Sequence, residues 1–277
     1  MKILVTGACG MLAADLLPAL AGHELMPLTY EQLDICGLSA VTDAVRTAKP
    51  QVIINCAAYT KVDACETEAD LAYAVNGRAP GNLAAAAEEV SADLLHVSTD
   101  YVFDGTKGAA YVEDDAVNPL SVYGKSKLEG EENVSKYDRH YIVRTQWLYG
   151  HNGPNFVKTM LRLAAERPEV RVVADQFGSP TTTHDLACAI AELIKTGAYG
   201  TYHITNSGQT SWHGFARDIF ELAGVTTPLF PIQTEEYPTP AKRPAFSPLE
   251  NRNWLALGKA PLRGYKEALE AYMKAAK

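Results

Sequence analysis

The chain opens Lys2-Ile3-Leu4-Val5-Thr6-Gly7-Ala8-Cys9-Gly10-Met11-Leu12-Ala13, and the reading of this stretch decides the fold. Its apolar, β-branched start reads as a buried strand, and Gly7 and Gly10 punctuate a tight turn. The amphipathic segment from Met11 to about Leu20 reads as a first helix. Strand, glycine turn and helix together aim free backbone N–H groups and a helix N-terminus at a pyrophosphate. Side chains at Gly7 or Gly10 would hold phosphates off the backbone. The spacing is Gly-x-x-Gly-x-x-Ala, and Ala13 suits a third position that mainly permits close helix–strand packing. Pro18 costs this helix a hydrogen bond and is expected to kink or shorten it.

Downstream, strand-like runs alternate with helical patterns. The strands are Ile3–Thr6, Glu24–Leu28, Val52–Asn55, Asp93–Ser98, Tyr141–Arg144, Val170–Val173 and Tyr202–Thr205. Helical patterns lie at Leu38–Ala48, Arg78–Val90, Tyr123–Val134, Asn155–Ala165 and Thr183–Thr196. Such alternation, with near-continuous apolar strands, predicts an α/β fold whose parallel sheet is covered on both faces. Ligands in such sheets sit beyond the carboxyl ends of the strands. Gly7, Ala57, Thr99 and Trp147 all follow strand ends, so four motifs gather on one rim. Past about Asn206 the pattern loosens; Thr226–Pro248 is rich in Pro and Thr, and a helix near Tyr265–Ala276 follows. The expected division is 1–149 plus about 181–206 as the sheet domain, with about 150–180 plus 207–277 as a smaller, discontinuous lobe that binds substrate.

Tyr123 and Lys127 stand four residues apart in Val122-Tyr123-Gly124-Lys125-Ser126-Lys127-Leu128, so on a helix they share a face. A free phenol titrates near pH 10, and a neighbouring ammonium is expected to bring it toward the working range. Thr99 precedes them in Val97-Ser98-Thr99-Asp100-Tyr101-Val102-Phe103. The pair alone is common on solvated helices; its weight comes from company with the glycine turn.

Composition removes other classes. The chain has 277 residues with 25 Lys plus Arg against 33 Asp plus Glu, a net charge of −8 that disfavours nucleic acid as a partner. The five cysteines (Cys9, Cys36, Cys56, Cys65 and Cys188) are odd in number and lack metal spacing, and read as reduced, mostly buried thiols of a cytoplasmic protein. No apolar run reaches the roughly 18 residues of a membrane span. The histidines form no ligand pair and read as structural, and no metal is expected.

These residues resemble the extended short-chain dehydrogenase/reductase superfamily, and within it the dTDP-4-dehydrorhamnose reductases. The likeness runs through Asn55-Cys56-Ala57-Ala58-Tyr59-Thr60, Ala74-Val75-Asn76, Thr99-Asp100-Tyr101-Val102-Phe103-Asp104-Gly105, Asp175-Gln176-Phe177-Gly178-Ser179-Pro180-Thr181 and Tyr237-Pro238-Thr239-Pro240-Ala241-Lys242-Arg243. Ser247-Pro248-Leu249-Glu250-Asn251 departs from the family's usual pattern.

The resemblance implies a Rossmann-type doubly wound sheet and reduction of the 4-keto group of dTDP-4-dehydro-L-rhamnose by NADPH, with NADH also accepted. It implies that Tyr123 protonates the carbonyl oxygen, that Thr99 orients it, and that Lys127 holds the nicotinamide ribose. Gly7, Gly10, Met11 and Leu12 would meet the pyrophosphate, Asp34 and Ile35 the adenine, and Ala57, Ala58, Tyr59 and Asn76 the ribose and nicotinamide side. Asp100, Trp147, Asn155, Lys158 and Arg243 would bind the dTDP-sugar. The second strand ends Leu28-Thr29-Tyr30 with neither acid nor base, which leaves the choice between the two cofactors open. A monomer or homodimer is expected. Two alternatives remain: a related 4,6-dehydratase or 4-epimerase, and a non-catalytic subunit like the methionine adenosyltransferase β subunit. Asp100 is followed by Tyr101, not by the Glu a dehydratase needs.

Overall fold

The computed structural model describes residues 1–275. Its central sheet is built from β1 (Lys2–Thr6), β2 (Glu24–Leu28), β3 (Val52–Asn55), β4 (Asp93–Thr99), β5 (His140–Thr145) and, after the short β6 (Leu148–Tyr149), β7 (Val170–Val173), β8 (Phe177–Gly178) and β9 (Thr181–Thr182), β10 (Gly200–His203). The six strands run in the order β10-β5-β4-β3-β1-β2, every pairing parallel. The chain leaves β1 for β2 on one side and then crosses to β3 on the other, so the order reverses between β1 and β3. In open α/β sheets that crevice takes the ligand.

Burial explains the arrangement. Ile3 and Val5 face one apolar cluster with Leu16, Leu186 and Ile190, while Leu4 and Ile53 face another with Val41, Val45 and Leu83. Alternate residues of one strand therefore feed cores on both faces. Helices α1 (Met11–Ala19) and, further along, α7 (Thr183–Leu193) cover the first face; α2 (Leu38–Ala48) and, after the short α3 (Ala69–Ala72), α4 (Ala79–Val90) cover the second. Helices α5 (Val122–Val134) and α6 (Phe156–Glu166) lie between α4 and α7 in sequence. β2 is one of the two edge strands, where Pro27 can sit without breaking a ladder. Pro18 falls in the last turn of α1, and the helix ends one residue later.

A third cluster stands apart: Tyr149, Val157 and Val172 pack with Phe215 and Ile219 of α8 (Trp212–Ala223) and, beyond α9 (Arg252–Ala256), with Tyr265 and Leu269 of α10 (Tyr265–Ala275). Strand β7, whose apolar run looked like a member of the main sheet, pairs instead with β12 (Leu229–Ile232) in this region; the short β11 (Thr210–Ser211) pairs with β8. The strand expected at Tyr202–Thr205 lies two residues earlier, as β10. The thiols also differ from expectation. Cys65 is buried and Cys56 half-buried, but Cys9, Cys36 and Cys188 are exposed: Cys9 and Cys36 stand in turns that precede helices, and Cys188 is on the outer face of α7. All are free.

Candidate active site

The site begins at the switch between β1 and β3. Gly7 has φ +69°, a left-handed conformation that glycine adopts without steric cost. A Cβ there would lie 2.7 Å from the backbone nitrogen of Ala57. The glycine is thus demanded first by the neighbouring strand end, before any phosphate is considered. Gly10 N–H donates to Gly7 C=O at 2.9 Å and closes the turn. Gly10 is also the N-cap of α1 and makes no side-chain cap bond, so the first N–H groups of the helix, at Met11 and Leu12, point outward unsatisfied. Asn152 Nδ2 holds the turn from outside through the Cys9 carbonyl at 3.2 Å. An uncapped helix start over a glycine turn fits a pyrophosphate.

The adjoining loops are pinned by side chains. Asp34 Oδ1 accepts from the Cys36 N–H at 2.9 Å, and Asn82 Nδ2 donates to the carbonyls of Ile35 and Cys36. Ile35 is buried, and Asp34 is exposed. Beyond β3, Ala57 N–H donates to Asn55 Oδ1, and Ala58 is half-buried. Asn76 makes a reciprocal pair with the Tyr59 backbone, accepting its N–H at 2.8 Å and donating to its C=O at 3.0 Å. The same Nδ2 reaches Ser126 Oγ of α5. Asn76 therefore works as a clamp between the β3 loop and the helix that carries Tyr123.

Ser121 caps α5 by accepting the Gly124 N–H. Tyr123 and Lys127 then project from one face, as their spacing predicted, but toward different partners. Lys127 is 1% exposed, and its Nζ donates to Val97 C=O at 2.7 Å and lies 3.1 Å from His96 Nε2. Burial lowers its pKa to about 8, against the opposing pull of Glu131 and Cys56. Tyr123 is half-buried and meets the Tyr101 ring edge-on, with centroids 5.4 Å apart. Its phenol is raised above the ordinary value by burial, while the Thr99 hydroxyl pulls the other way. The expectation that the lysine lowers the tyrosine is thus not met in this arrangement: the lysine is engaged with strand β4, and desolvation governs the phenol.

Thr99 is the last residue of β4 and accepts the Tyr101 N–H at 3.2 Å while donating to Asp100 Oδ1 at 3.1 Å. Asp100 is buried and also accepts from Ser247 Oγ at 2.6 Å. Burial raises its carboxyl to about 6 in spite of these donors. Trp147 has φ +48° and stacks face to face on Trp212, with centroids 3.5 Å apart. The two indoles, Asp100, Tyr101 and Arg243 line one recess. It adjoins a cavity of about 520 Å³ whose walls carry Phe156, Trp212 and the guanidinium groups of Arg162, Arg167, Arg171 and Arg243.

Other expected substrate residues are occupied locally. Asn155 caps α6 by accepting the Lys158 N–H and donates to Gly150 C=O. Lys158 Nζ donates to the carbonyls of His151 and Gly153. Neither residue lines the arginine-walled cavity. Arg243 forks onto Asp63 at 3.0 and 2.9 Å, and also reaches Thr239 and Ala241. Sequence reasoning missed Trp212, Ser247, His96 and the arginines of α6 and β7. Only Ser247 had a signal, the departure from the family pattern in which it stands. Among the described residues, no three His, Cys, Asp or Glu side chains converge as a metal site, and no helix is long and apolar enough to cross a membrane.

The whole chain, residues 1–277, matches the family described as the RmlD substrate binding domain. A curated dTDP-4-dehydrorhamnose reductase from Burkholderia thailandensis is 45% identical over 91% of each chain. A crystal structure of a dTDP-4-dehydrorhamnose reductase from Clostridium acetobutylicum superposes with TM-score 0.97 at 47% identity, covering 100% of this chain and 99% of the other. The Bacillus anthracis dTDP-4-dehydrorhamnose reductase, solved in complex with NADP, gives TM-score 0.97 at 42% identity over 99% of both chains. With its glycine turn, its tyrosine and lysine on α5 and its paired indoles, the chain belongs to the dTDP-4-dehydrorhamnose reductase family.

Proposed function

We propose that the chain reduces the 4-keto group of dTDP-4-dehydro-L-rhamnose to the alcohol, with NADPH as the preferred cofactor and NADH also accepted. The observation that carries this reading is the meeting of Thr99 and Tyr123 at the strand ends, between an uncapped helix start and a recess walled by two stacked indoles. NADPH, when bound, supplies the hydride. Gly7, Gly10 and the free N–H groups of Met11 and Leu12 receive its pyrophosphate, Asp34 and Ile35 border its adenine, and Ala57, Ala58 and Tyr59 flank its ribose and nicotinamide, with Asn76 holding that loop. Lys127 holds the ribose hydroxyls. Thr99 orients the sugar carbonyl, and Tyr123, fully protonated near neutrality, gives its phenolic proton to that oxygen as charge develops there.

For the nucleotide sugar, Trp147 and Trp212 provide the stacking surface, and Asp100 lies on the same recess. The arginine-walled cavity is the natural seat for the nucleoside diphosphate. Lys158 and Asn155 would reach a diphosphate only by giving up the bonds that shape the α6 entry. The lobe formed by about 150–180 and 207–277, around its own apolar cluster, closes on the sheet domain formed by 1–149 and about 181–206. We infer a cytoplasmic enzyme acting as a monomer or homodimer.

The test is NADPH oxidation with dTDP-4-dehydro-L-rhamnose, run on the wild type beside Tyr123→Phe. Turnover by the wild type and a loss in kcat of about 10²-fold or more in the variant are expected. Cofactor binding without turnover in the wild type overturns the assignment and favours a non-catalytic subunit.

A further inference from the structure

Beneath the site runs a buried line of polar side chains, of which the reaction above uses only Lys127. Thr6 Oγ1 donates to Asn55 Oδ1 at 2.7 Å, Asn55 Nδ2 lies 3.0 Å from His96 Nδ1, and His96 Nε2 lies 3.1 Å from Lys127 Nζ. All four residues are 0–1% exposed. Direction along this line can be read from one fixed point. The Ala57 backbone N–H, which can only donate, points at Asn55 Oδ1 at 3.1 Å. The amide oxygen of Asn55 is therefore on that side, and its NH₂ faces His96. Nδ1 must then be the bare acceptor, and a neutral imidazole carries its proton on Nε2. Burial keeps His96 neutral. The Nε2–H points at Lys127 Nζ, and an N–H can meet that nitrogen only if it has a lone pair. The amine form of lysine satisfies the line; the ammonium sets two donors against each other, or turns Asn55 away from Ala57.

We propose that His96 is a positioning residue acting through Lys127: on the alkaline side of neutrality the directed line from Ala57 and Thr6 through Asn55 and His96 holds Lys127 as the amine in the cofactor-free protein, and seating NADPH there carries proton uptake by Lys127. The second half rests on the cofactor reading above; the first does not. The phosphates and ribose oxygens of the cofactor favour the ammonium, and once it forms the line reverses. Other groups facing Lys127 do not compete for this proton. Cys56 of the β3 end is held protonated by burial, its thiol pushed up to about 12. Tyr123 on α5 is raised by burial. Glu131, one turn on, is committed to Arg144 of β5 and Ser98 of β4.

The sign of the pH dependence follows. Free Lys127 titrates near 8, and bound cofactor moves that value up. Affinity for NADPH is then full below about pH 8 and falls about tenfold per pH unit above it, until the bound-state value is reached. The first experiment is ¹⁵N NMR of histidine-labelled, cofactor-free protein at about pH 9. Protonated Nε2 with bare Nδ1 at His96 is expected; a proton on Nδ1 overturns the proposal without touching the reductase assignment. The second is calorimetry of NADPH binding in two buffers of different ionisation enthalpy, on the wild type and on His96→Gln. The wild type should take up protons at that pH. In His96→Gln the amide can turn its oxygen to the ammonium, so the break in affinity should move to higher pH. No uptake by the wild type, or an unmoved break in a variant that still binds NADPH, overturns the proposal. Failure of the wild type to bind NADPH at all sinks the cofactor reading instead, and the NMR result stands apart from it.

Discussion

At the scale of the residue, Gly7 has two independent reasons to be glycine, its φ of +69° and the Ala57 backbone 2.7 Å from where a Cβ would be. Gly7→Ala should lower stability by about 1–3 kcal/mol by overpacking and strain. It should also push β3 from β1, so that NADPH titration shows weakened binding even at temperatures where the variant is folded. Asp100 makes a second prediction, through pH. Its folded value of about 6 lies above the ordinary one, so the folded state binds the extra proton. Its contribution to stability is full at low pH and is lost as pH rises from about 4 to about 6. Asp100→Asn, which keeps an acceptor for Thr99, should remove that loss, worth on the order of 2 kcal/mol. Melting curves between pH 4 and 7 on both proteins check it; parallel curves would refute it. Tyr123, Lys127 and Thr99 were legible from spacing and motif. What Lys127 touches was not, because His96 is a lone histidine in an apolar strand and gives no periodic signal. The Trp147 partner was equally hidden, since Trp212 lies 65 residues on and their stacking depends on how α8 is placed.

At the scale of the element, α5 is held to the sheet by one buried ion pair. Arg144 of β5 forks onto Glu131 at 2.6 and 3.0 Å, and Ser98 of β4 donates to the same carboxylate at 2.5 Å. Both side chains are under 10% exposed. Such a pair costs desolvation, so replacing both members with apolar groups can be nearly neutral, whereas removing one strands the other. Glu131→Gln should therefore cost about 3–5 kcal/mol in denaturant unfolding, and the double variant Glu131→Leu with Arg144→Met should recover most of it. Equal losses in the two variants would mean that the pair itself stabilises the helix position. The same helix is pressed against its neighbour: a Cβ at Gly130 would lie 2.1 Å from the Asn76 carbonyl. Asn76 sits in a π-helical turn, Tyr73–Arg78, where a plain helix start at Arg78 was expected. Most elements were legible because their periods are local; β2, β3 and α2 fall where the pattern puts them. The π turn exists to fit α5, and β7 pairs with a strand more than 50 residues away, so neither could be read from a window of neighbours.

At the scale of the molecule, the glycine turn and the substrate recess are joined by contacts across long stretches of chain. Asn152 holds the Gly7–Gly10 turn, Ser247 holds Asp100, and Arg243 holds Asp63. Arg243 stood in a family-like motif, yet its pairing with Asp63 spans 180 residues and only the folded chain displays it. This link combines a modest energy with a central position. Asp63 has 42% of its side chain exposed, so solvent screens the pair and its loss should cost no more than about 1 kcal/mol of stability. Arg243, however, borders both the indole recess and the arginine-walled cavity. Its fork onto Asp63 sets where the guanidinium lies, and the Ala241 N–H rests on the same carboxylate. Asp63→Asn should leave the melting temperature within a few degrees of wild type and keep kcat, since Thr99, Tyr123 and Lys127 are not displaced. KM for the nucleotide sugar should rise several-fold, with KM for NADPH unchanged, because one guanidinium of the cavity loses its bearing. Steady-state kinetics varying each substrate in turn separates the cases. A rise in both KM values would mean that the link positions the whole lobe against the sheet, and an unchanged sugar KM would remove Arg243 from the substrate's path.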